Sequence, residues 1–364
     1  MVNEKSSQRQ RLRDLGITVG TLQPGVNNAI TDVPGVFVGH TTLMMDQPYV
    51  VRTGVTAIIP RYGEIAHNYA FAGFHRFNGF GEITGIQWIE ESGLLTSPIV
   101  LTTTAQIGLV RDALPEYGFR HYQHGAYFLP VVAETYDGWL NDMRARPIEK
   151  SHVFQALDDA RPGPVAEGGV GGGTGMICHG FKGGIGTSSR VVTIDGQVYT
   201  LGALVQANYG ERSQLTVAGV PVGREIGDEI IPNAWREPPP SSSIIIVIGT
   251  DAPLLPAQCR RLAQRATSGL ARTGGYGHNS SGDLFIAFAT GNDIYPASSG
   301  IIPLKGMLPD HQMDLLLDAA VEAVEESILN ALTMAETMEG VMGHKAYAIP
   351  LDLLKAVMAR HQPE

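Results

Sequence analysis

The run Ser243-Ile244-Ile245-Ile246-Val247-Ile248-Gly249-Thr250-Asp251 constrains this chain more than any other stretch. Five consecutive β-branched apolar residues have the composition of a strand buried on both faces, so packed layers must lie above and below it. Just before it stand Pro238-Pro239-Pro240-Ser241-Ser242. Three prolines lack the amide hydrogen that a sheet or helix interior uses, which predicts an extended, exposed segment. A serine therefore sits where a loose surface segment meets a rigid central strand. An ordinary loop-to-strand transition would look the same. So would a place where the chain is cut and the new serine stays anchored at the strand's start.

The other elements can be read around that strand. Residues 36–38 (VFV) follow a Pro-Gly turn as a short strand, 54–60 (GVTAIIP) and 98–102 (PIVLT) are two more, and 127–132 (YFLPVV) runs as a strand into Glu134 and Asp137. Residues 67–93 hold Phe71, Phe74, Phe77 and Phe80, but Gly73, Gly79, Gly81 and Gly85 among them argue for loop. Residues 151–159 read as a short helix capped by Ser151. Around Asp195-Gly196 the alternating pattern of 191–204 predicts a hairpin. Residues 256–270 and 311–338 carry helical apolar spacing, with Asp318, Glu322 and Glu325 off the apolar stripe of the second, and 351–360 form a terminal helix. In 282–290, Phe285, Ala287 and Ala289 fall on one face and Leu284, Ile286 and Phe288 on the other. Interleaved strands and helices with hairpin-linked pairs give a mixed sheet in a layered α/β domain.

Charge excludes whole classes of function. A net charge of −10 with no basic cluster leaves no nucleic-acid footprint. Two cysteines, Cys178 and Cys259, make no disulfide framework, and no Cys/His spacing suggests zinc, so neither metal nor cofactor is expected. The first 13 residues are polar without the apolar core of a signal peptide, and no run approaches a membrane span. These features predict a soluble cytoplasmic protein. Charged residues are only 17% of the chain, which fits surface buried in an oligomer.

The glycine-rich tract 167–186 (EGGVGGGTGMICHGFKGGIG) invites a phosphate loop, but both fingerprints fail. Lys182 stands one place late and lacks the following hydroxyl. Thr174 occupies the third glycine position of a dinucleotide motif. Backbone packed closely against an active-site wall is the better reading. His40, His75, His179 and His278 show no ligand spacing, no G-x-S-x-G elbow supports a histidine triad, and Cys178 is a minor candidate nucleophile. A hydroxyl nucleophile without histidine needs another base. A freed α-amino group, with an ordinary pKa of about 7.7–8.0, supplies one. Of the three serines only Ser243 abuts the strand. It would gain that amine if its hydroxyl attacked the carbonyl of Ser242 and water then hydrolysed the ester.

Several ordered blocks carry a family resemblance: NAITDVPGVFVGH (28–40), RTGVTAIIP (52–60), LPVVAETYD (129–137), GPVAEGGVGGGTGM (163–176), FKGGIGTSSR (181–190), LVQANYGER (204–212), SIIIVIGTDAPLLP (243–256) and SSGDLFIAF (280–288). Together they resemble the self-processing aminopeptidases that include L-aminopeptidase D-amidase/D-esterase (DmpA) and the β-peptidyl aminopeptidases.

The resemblance implies an α-β-β-α sandwich like that of the N-terminal-nucleophile hydrolases, as one peptidase domain. It implies cleavage between Ser242 and Ser243 into an α-subunit (1–242) and a β-subunit (243–364), with the α/β pairs assembling further as a tetramer. Ser243 then matches the nucleophile and Asn208 the residue that stabilises the oxyanion. Tyr136 matches a second residue of that site, and some relatives carry an apolar residue there. Glu134 matches the carboxylate that receives the substrate's amino group. Ser281 and Asp283 match residues that relay or orient protons near the nucleophile. The residue before the nucleophile, often Gly or Asn in relatives, is Ser242 here. The implied substrates are small peptides, amides or esters of an N-terminal amino acid, whether L-, D- or β. Two rivals remain open: an acyltransferase of the ornithine acetyltransferase type, and an unprocessed, non-enzymatic oligomeric scaffold.

Overall fold

The fold is described from a computed structural model over residues 8–63, 65–122, 129–235, 242–296 and 299–361. The chain opens with β1 (Phe37–Met45), β2 (Val51–Ile59) and β3 (Tyr69–Gly79), then α1 (Ile86–Ser92), β4 (Leu94–Leu95), β5 (Ile99–Thr103) and α2 (Ile107–His121). Next come β6 (Val131–Thr135), α3 (Lys150–Asp158), the small β7 (Ile177–Cys178) and β8 (Phe181–Lys182), β9 (Gly184–Ile194), β10 (Gln197–Asn208) and the one-turn α4 (Val222–Glu225). Last are β11 (Ser242–Thr250), α5 (Pro256–Arg272), β12 (Ser281–Ile294), α6 (Asp314–Met334), β13 (Met338–Glu339), β14 (Lys345–Ala346) and α7 (Leu351–Arg360).

Two mixed sheets form the middle of the molecule. One has strand order β4-β3-β12-β11-β10-β9 and the other β1-β2-β5-β6. β11 lies inside the six-stranded sheet, antiparallel to β10 and parallel to β12. Ile244, Ile246, Ile248, Phe285 and Ala287 share a core with Leu262 and Ala266 of α5 and Ala320, Val324 and Ile328 of α6. Ile245, Val247, Leu284, Ile286 and Phe288 belong to a second core, shared with the four-stranded sheet and with α2 and α3. The layers therefore run helix, sheet, sheet, helix, and the isoleucine run is buried on both faces because it is the interior of both cores. Asp195 and Gly196 adopt the left-handed conformation (φ 48° and 75°) of a two-residue hairpin turn between β9 and β10.

Two expectations are corrected, one about a loop and one about a helix cap. Much of the glycine- and phenylalanine-rich region is a strand, β3, rather than loop. Its Gly73 marks a close approach, since a Cβ there would lie 2.2 Å from the backbone nitrogen of Arg260 on α5. Helix α3 is capped by Glu149, not Ser151; the Glu149 amide donates to His152 Nδ1 at 3.0 Å. On α6, Glu322 and Glu325 lie off the apolar stripe yet are buried. Arg190 of β9, fully buried, donates to Glu322 at 2.9 Å and to Glu326 at 2.8 Å, and Arg272 pairs with Glu325 at 2.5 Å. The strand read at 127–132 begins at Val131 among the described residues, while 123–128 lie outside them. The proline segment and Ser241 lie outside the described residues too.

Candidate active site

Ser243 is the second residue of β11 and is buried. Its hydroxyl donates to the carbonyl oxygen of Ser242 at 2.6 Å and accepts the amide hydrogen of Gly282 at 3.2 Å. In the uncut chain the Ser243 oxygen is thus held against the carbonyl it would have to attack. Gly282 can serve because the parallel register sets it beside Ser243, with Ser281 beside Ser242 and Asp283 beside Ile244.

On the other side, the antiparallel register of β10 ends with Asn208 opposite Ser243. The Asn208 amide is pinned at both ends. Its Oδ1 accepts the Ile177 amide at 2.9 Å, and one Nδ2 hydrogen goes to the Tyr136 carbonyl at 2.9 Å. A primary amide has two N–H donors, and the second has no partner among the described residues, which leaves it for a ligand beside Ser243. Tyr136 contributes its carbonyl here, while its hydroxyl turns back over Gly138, where a Cβ would lie 2.5 Å away.

Asp283 is buried, and its carboxylate accepts the Ser281 hydroxyl at 2.6 Å. Burial pushes its pKa up from 3.8 to about 6, with the Ser281 hydrogen bond acting in the opposite direction. Glu134, at the end of β6, is also buried; its carboxylate accepts the Glu82 amide at 2.9 Å and the Thr104 hydroxyl. Burial raises its pKa against those hydrogen bonds. Gly81 joins the two halves of the site: a Cβ there would lie 3.1 Å from Gly282 Cα and 3.4 Å from Glu134 Oε1. Phe80 beside it is exposed, and its amide donates to the Ser281 carbonyl at 3.1 Å.

The structure thus gathers Ser242, Ser243, Asn208, Ser281, Asp283 and the Tyr136 carbonyl at the ends of β10, β11 and β12. Glu134 stands across Gly81 from them. The amides of Gly282, Ile177 and Glu82, the Thr104 hydroxyl and Gly81 escaped sequence reasoning. Backbone donors carry no residue signature, although Ile177 lay in the glycine-rich tract read as an active-site wall, Gly282 in the 280–288 block, and Gly81 and Glu82 in the 67–93 region. Cys178 and His179 do not compete. The thiol is fully buried, which pushes its pKa up, and burial holds the imidazole down at about 4 with Nδ1 facing the Glu211 carbonyl. Among the described residues no group of three or more His, Cys, Asp or Glu side chains could hold a metal ion, and no helix is long and apolar enough to cross a membrane.

A buried serine at the start of a central strand, with an amide donor opposite it and a carboxylate nearby, is an acyl-transfer arrangement. Residues 28–346 match the model of peptidase family S58. The chain belongs to peptidase family S58. It is a serine aminopeptidase of the self-processing, N-terminal-nucleophile kind. The β-peptidyl aminopeptidase BapA of Sphingosinicella microcystinivorans is 43% identical over 98% of this chain and 94% of that protein. A β-aminopeptidase structure from a Burkholderia species superposes with a TM-score of 0.90 at 50% identity, covering 98% of this chain and 100% of that one. The L-aminopeptidase D-Ala-esterase/amidase of Ochrobactrum anthropi, described as a prototype serine aminopeptidase and a variant of the Ntn-hydrolase fold, also gives 0.90. It is 43% identical over 96% of this chain and 98% of its own. S58 membership favours hydrolysis over the acyltransferase and scaffold alternatives.

Proposed function

We propose that this S58 enzyme cuts itself between Ser242 and Ser243 and then releases N-terminal residues from short peptides, amides and esters. N-terminal β-amino residues are its preferred substrates, and L- or D-alanyl derivatives are slower ones. The β-aminopeptidase names of two of the similar proteins support β-amino residues as substrates, and the name of the Ochrobactrum anthropi enzyme supports the alanyl derivatives. The observation that carries the mechanism is the register placing Asn208 opposite Ser243, whose hydroxyl already contacts the Ser242 carbonyl at 2.6 Å.

In self-cleavage the Ser243 oxygen attacks the Ser242 carbonyl carbon. The C–N bond breaks, the hydroxyl proton ends on the departing nitrogen, and the ester that results is hydrolysed by water. The products are a carboxylate on Ser242 and a free α-amine and hydroxyl on Ser243. In turnover that amine takes the hydroxyl proton as Ser243 attacks the substrate carbonyl, then gives it to the leaving nitrogen. Water hydrolyses the resulting ester, which frees the acid and restores the hydroxyl. Asn208 holds the oxyanion, with Tyr136 supporting it through its carbonyl. Glu134 receives the substrate's ammonium group, which confines the enzyme to free N-termini. Ser281 and Asp283 orient protons at the nucleophile. The α- and β-subunits stay together, and α/β pairs assemble as a homotetramer in the cytoplasm.

Purified enzyme and Ser243→Ala, each assayed on β-alanyl, L-alanyl and D-alanyl amides, test this function. Activity on the β-alanyl amide that disappears in Ser243→Ala supports it. Retained activity in the variant would overturn it.

A further inference from the structure

Lys182 of β8 is fully buried, yet no carboxylate among the described residues balances its charge. Its ammonium donates instead to three backbone carbonyls: Gly173 at 3.3 Å, Met176 at 3.0 Å and Gly183 at 2.9 Å. Three acceptors match the three hydrogens of a charged amine and exceed the two of a neutral one. Burial pulls the pKa down to about 7, while the three carbonyl contacts favour the charged form.

One of those carbonyls leads directly to the active site. The peptide group whose oxygen belongs to Met176 has as its N–H the amide of Ile177. That amide donates to Asn208 Oδ1 at 2.9 Å. A cation on the carbonyl end of a peptide polarises its N–H end, and the next group in the chain is polarised in turn. Continuous hydrogen bonding therefore runs from the Lys182 ammonium through one peptide group to the side-chain amide of Asn208, the residue opposite Ser243.

We propose that Lys182 is a positioning residue for the oxyanion site, fixing and polarising the Asn208 amide through the Met176–Ile177 peptide. This rests on the assignment of Asn208 as the oxyanion donor. The ammonium touches neither substrate nor nucleophile. Its effect appears when negative charge develops on the attacked carbonyl, in self-cleavage and in turnover alike, and not in substrate binding.

The test is a double-variant cycle on the full chain with Lys182→Met, which keeps the apolar stem and removes the charge. Lys182→Met is expected to lower kcat about tenfold or more with KM within twofold, and to slow self-cleavage in parallel. In Lys182→Met/Asn208→Ala the loss should be no greater than in Asn208→Ala alone, because the lysine acts through that amide. A kcat within twofold of wild type, or losses that multiply in the double variant, would overturn the proposal. If Lys182→Met does not accumulate as folded protein, Lys182→Gln, which retains two N–H donors, goes through the same cycle with the same criteria. Failure of the underlying function is read separately, as retained activity in Ser243→Ala.

Discussion

The hydroxyl of Ser281 donates to the carboxylate of Asp283 at 2.6 Å, two residues further along the same strand. The parallel register sets Asp283 beside Ile244, the residue after the nucleophile, so this pair lies next to the backbone of Ser243. An ionised Asp283 accepts the Ser281 hydroxyl and can draw a proton through it; a protonated one competes for that hydroxyl. Self-cleavage, which occurs before the α-amine exists, should therefore slow as pH falls through about 6. Rates of precursor conversion between pH 4.5 and 8 measure this. Asp283→Asn should lower the plateau and remove that acid limb, and an unchanged limb in the variant would assign it to another group.

The same carboxylate makes an opposite prediction for stability. Its folded pKa, about 6, lies above the ordinary 3.8. The stability it contributes is full below 3.8 and is lost as pH rises through 6. The stability of Asp283→Asn relative to wild type should thus improve between pH 4 and pH 8. Urea unfolding at both pH values measures it, and a difference constant with pH counts against an ionised, buried Asp283.

Glu134→Gln keeps the acceptor for the Glu82 amide but removes the charge opposite the substrate ammonium. Truncating one side of a desolvated charge pair typically costs about 2 kcal/mol or more, which converts to a rise in KM of roughly 30-fold. Steady-state kinetics on a β-alanyl amide check this, with kcat expected to fall far less than kcat/KM. An unchanged KM would remove Glu134 from substrate binding.

Gly81→Ala probes the cleft between that carboxylate and the nucleophile strand. The added methyl would stand 3.1 Å from Gly282 Cα and 3.4 Å from Glu134 Oε1, in the space a substrate residue has to thread. KM should rise more for β-alanyl than for L-alanyl amides, because the longer residue needs more of that space. Equal changes for both would show that Gly81 does not set the spacing.

Arg190→Met addresses the framework rather than the chemistry. It strips the cation from Glu322 and Glu326, which it meets at 2.9 and 2.8 Å with no exposure of its own. Leaving buried carboxylates without their partner typically costs about 3–5 kcal/mol, despite the remaining Arg13–Glu326 pair at 2.9 Å. Urea denaturation reads the loss, and a change under 1 kcal/mol would mean that water replaces the guanidinium.

How much of this was legible in the sequence depended on whether a feature is local. The isoleucine run declared a strand buried on both faces because five β-branched residues leave no polar side to turn to solvent. Asp195-Gly196 declared its hairpin because both positions need φ > 0. The β3 strand was hidden because Gly73, read as a break, is there to let α5 come close. Asn208, Asp283 and Glu134 look like ordinary turn or strand residues until three strands from separate parts of the chain are aligned, so family resemblance alone singled them out. The buried glutamates of α6 were hidden for a similar reason: the arginine between two of them arrives from β9. Lys182 read as a failed phosphate-loop lysine, and only its three carbonyl contacts give it another use.

The bond between Ser242 and Ser243 carries the central claim, and mass spectrometry of the purified, active enzyme under denaturing conditions measures its fate. Two polypeptides, residues 1–242 and 243–364, with a free serine amine at the start of the second, are expected. Ser243→Ala should give only the intact chain. A fully active preparation consisting of one uncut 364-residue species is incompatible with Ser243 acting through its own α-amine.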